Sequence, residues 1–250
     1  MPATPEIFRF SSSDDISRAL DHFVAETARA AIARSGRFTV SLSGGSLPKT
    51  LAKNLKDNKS IEWSKWHIFF ADERCVALDH DESNYLLAKQ QLLDHVPIPA
   101  THVYTINQAL VQDHKAAAKD YAAQIKTAFG GSDAMPSIDL NLLGIGPDGH
   151  CCSLFPGHRL LDVADVWVAS LDDSPKPPPS RITLTYPIIN NADINLFVVT
   201  GDGKADAIHK IVDQKEALPS GRVQAKGRLI WFLDDGAAGK LNASTLKYNL

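Results

Sequence analysis

The chain has 250 residues, a formal net charge of −3 and a hydrophobic share of 44%, enough to fill one substantial core in an ordinary globular composition. That charge supplies no global field for nucleic acid or an anionic membrane, so any bound anion must be held by a local site. No apolar run approaches the roughly 20 residues that span a bilayer, and MPATPEIFRF has no apolar signal core, so the cytosol is the expected compartment.

Ile16, Leu20, Val24, Ala28 and Ala31 recur at spacings of three and four after a Ser/Asp cluster, which predicts an amphipathic helix. Residues 37–42 are short and apolar enough for a buried strand, followed by Gly44-Gly45 and a helical stretch from Leu47. Residues 66–70 predict a second strand. Leu86, Leu93 and Val96 predict a helix, with Asp81 and Glu82 placed for its positive N-terminal end. Ala118, Tyr121, Ile125 and Ala128 mark a helix leading into a strand at 138–143. Residues 194–200 predict a strand, Ala205, Ile208 and Val212 a helix face, and 229–233 a last strand.

Strands alternating with helices imply parallel pairing by right-handed crossovers. We therefore expect a single α/β domain over residues 1–250, with a doubly wound, mostly parallel sheet and helices on both faces in a Rossmann-like, three-layer arrangement. The run Pro175-Lys176-Pro177-Pro178-Pro179 predicts a stiff, extended connection, either a plain surface loop or one that borders a site. Cys75, Cys151 and Cys152 fit neither a disulfide framework nor a zinc-site spacing and are expected to be free thiols.

Four polar or glycine-rich clusters follow four of the predicted strands. They are Ser43-Gly44-Gly45-Ser46, Asp72-Glu73-Arg74, the run from Gly144 to His150, and Gly201-Asp202-Gly203-Lys204. Ligands of open parallel sheets bind beyond the carboxyl ends of the strands, so the four are expected to converge. Ser43, Gly44, Gly45 and Ser46 suit a phosphate, because glycines admit close backbone approach and a turn entering a helix aims N–H groups at an anion. The same four residues could be a tight turn without a ligand, and they match neither the Walker nor the dinucleotide pattern. Lys204 adds a positive charge at a helix start. His150 is the acid–base candidate, with Asp148 two residues before it to orient the ring. Arg74 either stabilises a developing oxyanion or forms a structural ion pair with Asp72 or another carboxylate. Cys151 beside His150 has no feature that would activate a thiolate, and the histidines add no metal spacing.

GIGPDGHCCSLFPGH at 144–158 resembles the central motif of the 6-phosphogluconolactonase family. SLSGGSLPKTL, FADERCVALDHDESNY, SPKPPPSRITLTYPIIN and VTGDGKADAI are similar to its other segments and occur in the same order. Cys151 stands where threonine is usual, and Leu47 where many relatives carry threonine. The resemblance implies hydrolysis of 6-phospho-D-glucono-1,5-lactone to 6-phosphogluconate, the second step of the oxidative pentose phosphate pathway. It implies no metal and no organic cofactor, and a sugar-phosphate lactone as partner for what is expected to be a monomer. It further implies that His150 activates water, that Arg74 stabilises negative charge near the lactone, and that Ser43, Gly44, Gly45, Ser46 and Lys204 hold the phosphate with help from Arg181. Asp148 would orient His150, and Asp72 would hold substrate hydroxyls or Arg74.

Two other readings compete. Glucosamine-6-phosphate deaminase-type isomerases share the glycine-rich loop, the Asp-Glu pair and a D-G-H segment. They carry a glutamate downstream of the histidine, where this chain has Ser153-Leu154-Phe155-Pro156. The second is a catalytically silent relative that binds a sugar phosphate, against which the intact Arg74, Asp148, His150 and Lys204 argue.

Overall fold

A computed structural model describes residues 4–249. Along the chain, β1 (Glu6–Phe10) is followed by α1 (Ser13–Ser35), β2 (Phe38–Leu42), α2 (Leu47–Leu55), β3 (Trp66–Phe70), β4 (Asp72–Arg74) and α3 (Asn84–Gln91). Then come α4 (His114–Ala128), β5 (Leu140–Leu143), β6 (Val168–Leu171), β7 (Arg181–Leu184), α5 (Tyr186–Asn190), β8 (Ile194–Val199), α6 (Ala205–Val212) and β9 (Arg228–Asp234). Helix α1 starts where the Ser12 hydroxyl accepts from the Asp15 N–H and stops at Gly36, whose left-handed backbone returns its N–H to the Ile32 carbonyl.

Six strands lie parallel in the order β1-β9-β8-β5-β2-β3. Their side chains alternate between two cores, as the two-residue period of a strand requires. Phe8, Ile68, Leu196 and Ile230 pack with α1, α2 and α3 on one face. Ile7, Phe69, Phe197 and Trp231 pack with α4, α5 and α6 on the other. The chain thus forms the expected α/β fold, a mostly parallel sheet with helices on both faces.

A polar ladder crosses the middle of this apolar sheet. Ser41 Oγ donates to Asn141 Oδ1 at 2.5 Å, and Asn141 Nδ2 donates to Asn195 Oδ1 at 2.8 Å. The three residues face one another directly on β2, β5 and β8 and are wholly buried. A one-residue slip of any of these strands would bury unpaired amides, so the ladder pins their register.

The structure departs from the sequence expectations in four places. β1 adds a parallel edge strand next to β9 that the polar N-terminal segment does not announce. β4, β7 and β6 form a separate antiparallel sheet. The helix expected to reach Val96 ends at Gln91: Leu93–His95 is a single 3-10 turn and Val96 is extended, because Pro97 disfavours a helical residue before it. Finally, the proline-rich run is no straight connection. It sits in the hairpin loop 172–180 between β6 and β7, where the Ser174 N–H donates to the Pro179 carbonyl.

Candidate active site

A cleft of about 250 Å³ opens where β2, β5 and β8 end. It is lined by Ser43, Gly44, Gly45 and Ser46 after β2, by Asp72 and Arg74 of β4, by His150 after β5, by Arg181 of β7 and by Lys204 after β8. Asp148 joins them through His150. The four strand-end clusters converge, because a parallel sheet delivers the ends of non-adjacent sequence segments to one edge.

One half of the cleft is built of open donors. The backbone N–H groups of Gly44, Gly45 and Ser46 make no hydrogen bond among the described residues. Ser46 precedes the first residue of α2 but its side chain does not cap the helix, leaving the positive helix end uncovered. The Ser43 hydroxyl is buried and has no partner among the described residues. A Cβ at Gly44 would lie 2.0 Å from Asn84 Oδ1, so any larger residue there must displace the Asn84 side chain. Lys204 stands across this half. Burial, and then the charge of Lys176, holds its ammonium below the usual lysine value, while Asp148 opposes the shift.

The other half is closed by internal hydrogen bonds. His150 Nδ1 lies 2.5 Å from Asp148 Oδ1, and the ring rests on Phe155 with centroids 4.7 Å apart. An imidazole N–H must point at the carboxylate, so Nδ1 carries the proton and Nε2 keeps its lone pair. Nε2 has no protein partner among the described residues. The pair sits directly over Gly146, where a Cβ would come within 2.1 Å of the imidazole and 2.4 Å of Asp148. Burial, aided by the charge of Lys176, lowers the His150 pKa despite the hydrogen bond it donates to Asp148. Burial works against the Asp148 carboxylate, yet the hydrogen bond and charge of His150, with Lys176, hold its pKa below the ordinary value.

Arg74 pairs outward, through Nη1 with the Glu82 carbonyl at 2.7 Å and the Glu82 carboxylate at 3.1 Å, and not with Asp72. Its Nε is buried without a partner among the described residues. Asp72 is buried and accepts from Ser153 Oγ at 2.7 Å and Asn84 Nδ2 at 3.3 Å, so of the two carboxylate pairings open to Arg74 it is the one with another carboxylate, Glu82, that forms. Arg181 Nε donates to the Pro178 carbonyl at 3.0 Å, Nη2 to the carbonyls of Lys176 and Pro177 at 2.9 and 3.0 Å, and Nη1 to Ser153 Oγ at 3.4 Å. With only 3% exposure and its Nε and Nη2 bound to carbonyls, Arg181 clamps the loop 172–180 while still lining the cleft.

Two contributors escaped the sequence reading. Lys176 lines the cleft and places Nζ 3.3 Å from Asp148 Oδ1 and 3.2 Å from His150 Nδ1. Its place within a proline run was the available signal, but no local rule aims that side chain. Glu73 is the carboxylate at the start of α3, where Asp81 and Glu82 were expected. It accepts from the N–H groups of Asn84 and Tyr85 and from its neighbour Arg74, tying β4 to the helix. Burial pushes its pKa up to about 7 against those three donors. Cys75, Cys151 and Cys152 are buried free thiols.

No group of three or more His, Cys, Asp or Glu residues among those described could hold a metal ion, and no described helix is long and apolar enough to cross a membrane. A family model described as glucosamine-6-phosphate isomerases/6-phosphogluconolactonase matches residues 11–231. A 6-phosphogluconolactonase of Rattus norvegicus is 45% identical over 99% of this chain and 98% of the rat protein. A probable 6-phosphogluconolactonase of Schizosaccharomyces pombe is 43% identical over 96% of this chain and 98% of its own. The structure of 6-phosphogluconolactonase from Trypanosoma cruzi superimposes with a TM-score of 0.86 at 28% identity, covering 97% of this chain and 99% of that one.

Proposed function

The chain belongs to the glucosamine-6-phosphate isomerase/6-phosphogluconolactonase family, and from that premise we propose that it hydrolyses 6-phospho-D-glucono-1,5-lactone to 6-phospho-D-gluconate. The observation that carries this reading is the pairing, within one cleft, of a histidine whose Nδ1 is committed to Asp148 with a helix start whose donors are unfilled. The first suits removal of a proton from water, and the second suits a phosphate held away from the reacting carbon.

In this reading Ser43, Gly44, Gly45, Ser46 and Lys204 bind the 6-phosphate. That anchor aligns C1 without chemistry of its own. His150 Nε2 takes a proton from water as its oxygen attacks the C1 carbonyl, and Asp148 steadies the imidazolium that forms. The unpartnered Nε–H of Arg74 is a donor suited to the tetrahedral oxyanion. Collapse of the intermediate breaks the bond from C1 to the ring oxygen, and His150 returns its proton to that oxygen. The product is the open-chain acid, ionised at neutral pH. Asp72 supports the wall through Ser153 and Asn84. We propose further that the protein acts in the oxidative pentose phosphate pathway, in the cytosol, as a monomer and without a cofactor.

Phe155 separates this reading from the isomerase. The position that lies against the His150 imidazole is an aromatic ring, where ring opening of an amino sugar needs a carboxylate. Fresh lactone, with the spontaneous rate subtracted, tests the proposal. Accelerated appearance of 6-phosphogluconate supports it. Tight lactone binding with no acceleration would instead identify a catalytically silent relative, and ammonia release from glucosamine 6-phosphate would identify the isomerase.

A further inference from the structure

Among the described residues, Lys176 is the one cation whose ammonium reaches the His150–Asp148 pair within hydrogen-bond distance. Its loop is short and strongly held. The Ser174 hydroxyl accepts from the Lys176 N–H at 3.2 Å and donates to the Lys176 carbonyl at 2.8 Å, and Arg181 binds the carbonyls of Lys176, Pro177 and Pro178. Arg181 in turn stands on Ser153, which donates to Asp72. A buried arginine whose Nε and Nη2 both donate to carbonyls of one loop specifies where that loop lies. The residue so delivered is Lys176.

We propose that Lys176, set in place by the Arg181 clamp, is a positioning residue that holds the Asp148 carboxylate beside His150 and, through its charge, keeps the imidazole neutral and ready to accept a proton. Resting on the lactonase reading for its consequence in catalysis, the proposal assigns Lys176 no direct bond to substrate. Since Nδ1 donates to Asp148, Lys176 cannot donate to that nitrogen, and its hydrogen bond goes to Asp148. A cation so near opposes the positive charge that protonation would place on the ring. The charged groups facing His150 come from several elements. Asp148 comes from its own loop, Lys176 from the loop 172–180 and Asp72 from β4. Farther out, Arg181 of β7 lies over Phe155 with 5.7 Å from its guanidinium carbon to the ring centroid, and Lys204 at the start of α6 acts on Asp148. Two carboxylates thus favour the imidazolium, and Lys176 is the near group that opposes them.

The test compares Lys176→Met and Lys176→Arg with the parent protein by two readouts. NMR titration of the His150 ring needs no lactone, so its outcome does not depend on the proposed activity. The titration midpoint should move upward in Lys176→Met and return in Lys176→Arg. In the pH profile of kcat/KM for the lactone, the acidic limb of Lys176→Met should move upward with it. The loss near pH 6.5 should be roughly tenfold and shrink at higher pH, with kcat carrying the change and KM nearly constant. An unmoved His150 midpoint in folded Lys176→Met would overturn the proposal. So would a loss that is pH-independent and lies in KM, which would make Lys176 a substrate-binding residue. A shifted midpoint in a parent protein that does not hydrolyse lactone would sink the lactonase reading and leave the charge control of His150 standing.

Discussion

The two halves of the cleft are built on opposite principles. Around His150, nearly every polar atom already has a protein partner: Asp148, Lys176 and the ring form one connected group, and Arg181 turns its Nε and Nη2 to the loop behind them. Around α2 the reverse holds, for the N–H groups of Gly44, Gly45 and Ser46 and the Ser43 hydroxyl have no partner among the described residues. A group that must take a proton has to be oriented before substrate arrives. A group that must bind an anion has to be left unsatisfied until it does. The contrast teaches which side of the cleft does chemistry and which side holds.

His150→Ala strikes the oriented side and should have the largest effect. We expect kcat to fall by about 10² to 10⁴ with KM little changed, measured by single-substrate kinetics on a variant whose thermal melt matches the parent. The parent itself should lose kcat/KM as pH falls, since protonation removes the base. Burial lowers the His150 pKa, so that limb should lie below the ordinary imidazole value. A limb above it would break the comparison by showing that the carboxylates, and not burial and Lys176, dominate the ring.

Lys204→Ala strikes the open side. We expect kcat/KM for the phosphorylated lactone to fall by about 10- to 100-fold, the loss of a charge-assisted contact, with no comparable change for an unphosphorylated lactone. Equal losses on both substrates would show that Lys204 serves the reacting centre. Ser43→Ala should have the smallest effect. Its hydroxyl is buried and unpartnered, so the variant should melt within about 1 kcal/mol of the parent or slightly above it, while KM for the phosphorylated lactone rises a few-fold. A large loss of stability would mean that this hydroxyl is already satisfied within the fold.

What the sequence made legible follows the same division. Strand-end clusters such as Ser43 to Ser46 and Gly144 to His150 are local signals, and a parallel sheet turns local signals into a shared site. The roles that were missed depend on partners far along the chain. Glu73 serves α3 from β4, across a turn in which Asp81 and Glu82 look better placed by sequence alone. Lys176 reaches His150 because a strand arginine gathers the carbonyls of a proline-rich hairpin. Arg181 was expected to help at the phosphate on the family resemblance alone. Its burial and its carbonyl partners, neither of which sequence displays, assign it to the loop. The short strands β4, β6 and β7 escaped for a related reason, since segments of three or four residues carry too little alternation to be recognised.

The buried ladder of Ser41, Asn141 and Asn195 acquires a different meaning once the cleft is known. Its three strands launch the segments that carry Ser43, His150 and Lys204, so the ladder is the gauge against which the distance between anchor and base is set. One step along a strand is about 3.3 Å, whereas a misplacement of about 1 Å can cost a hundredfold in rate. Three side chains with no access to solvent thereby set the mechanical tolerance of a reaction they never touch.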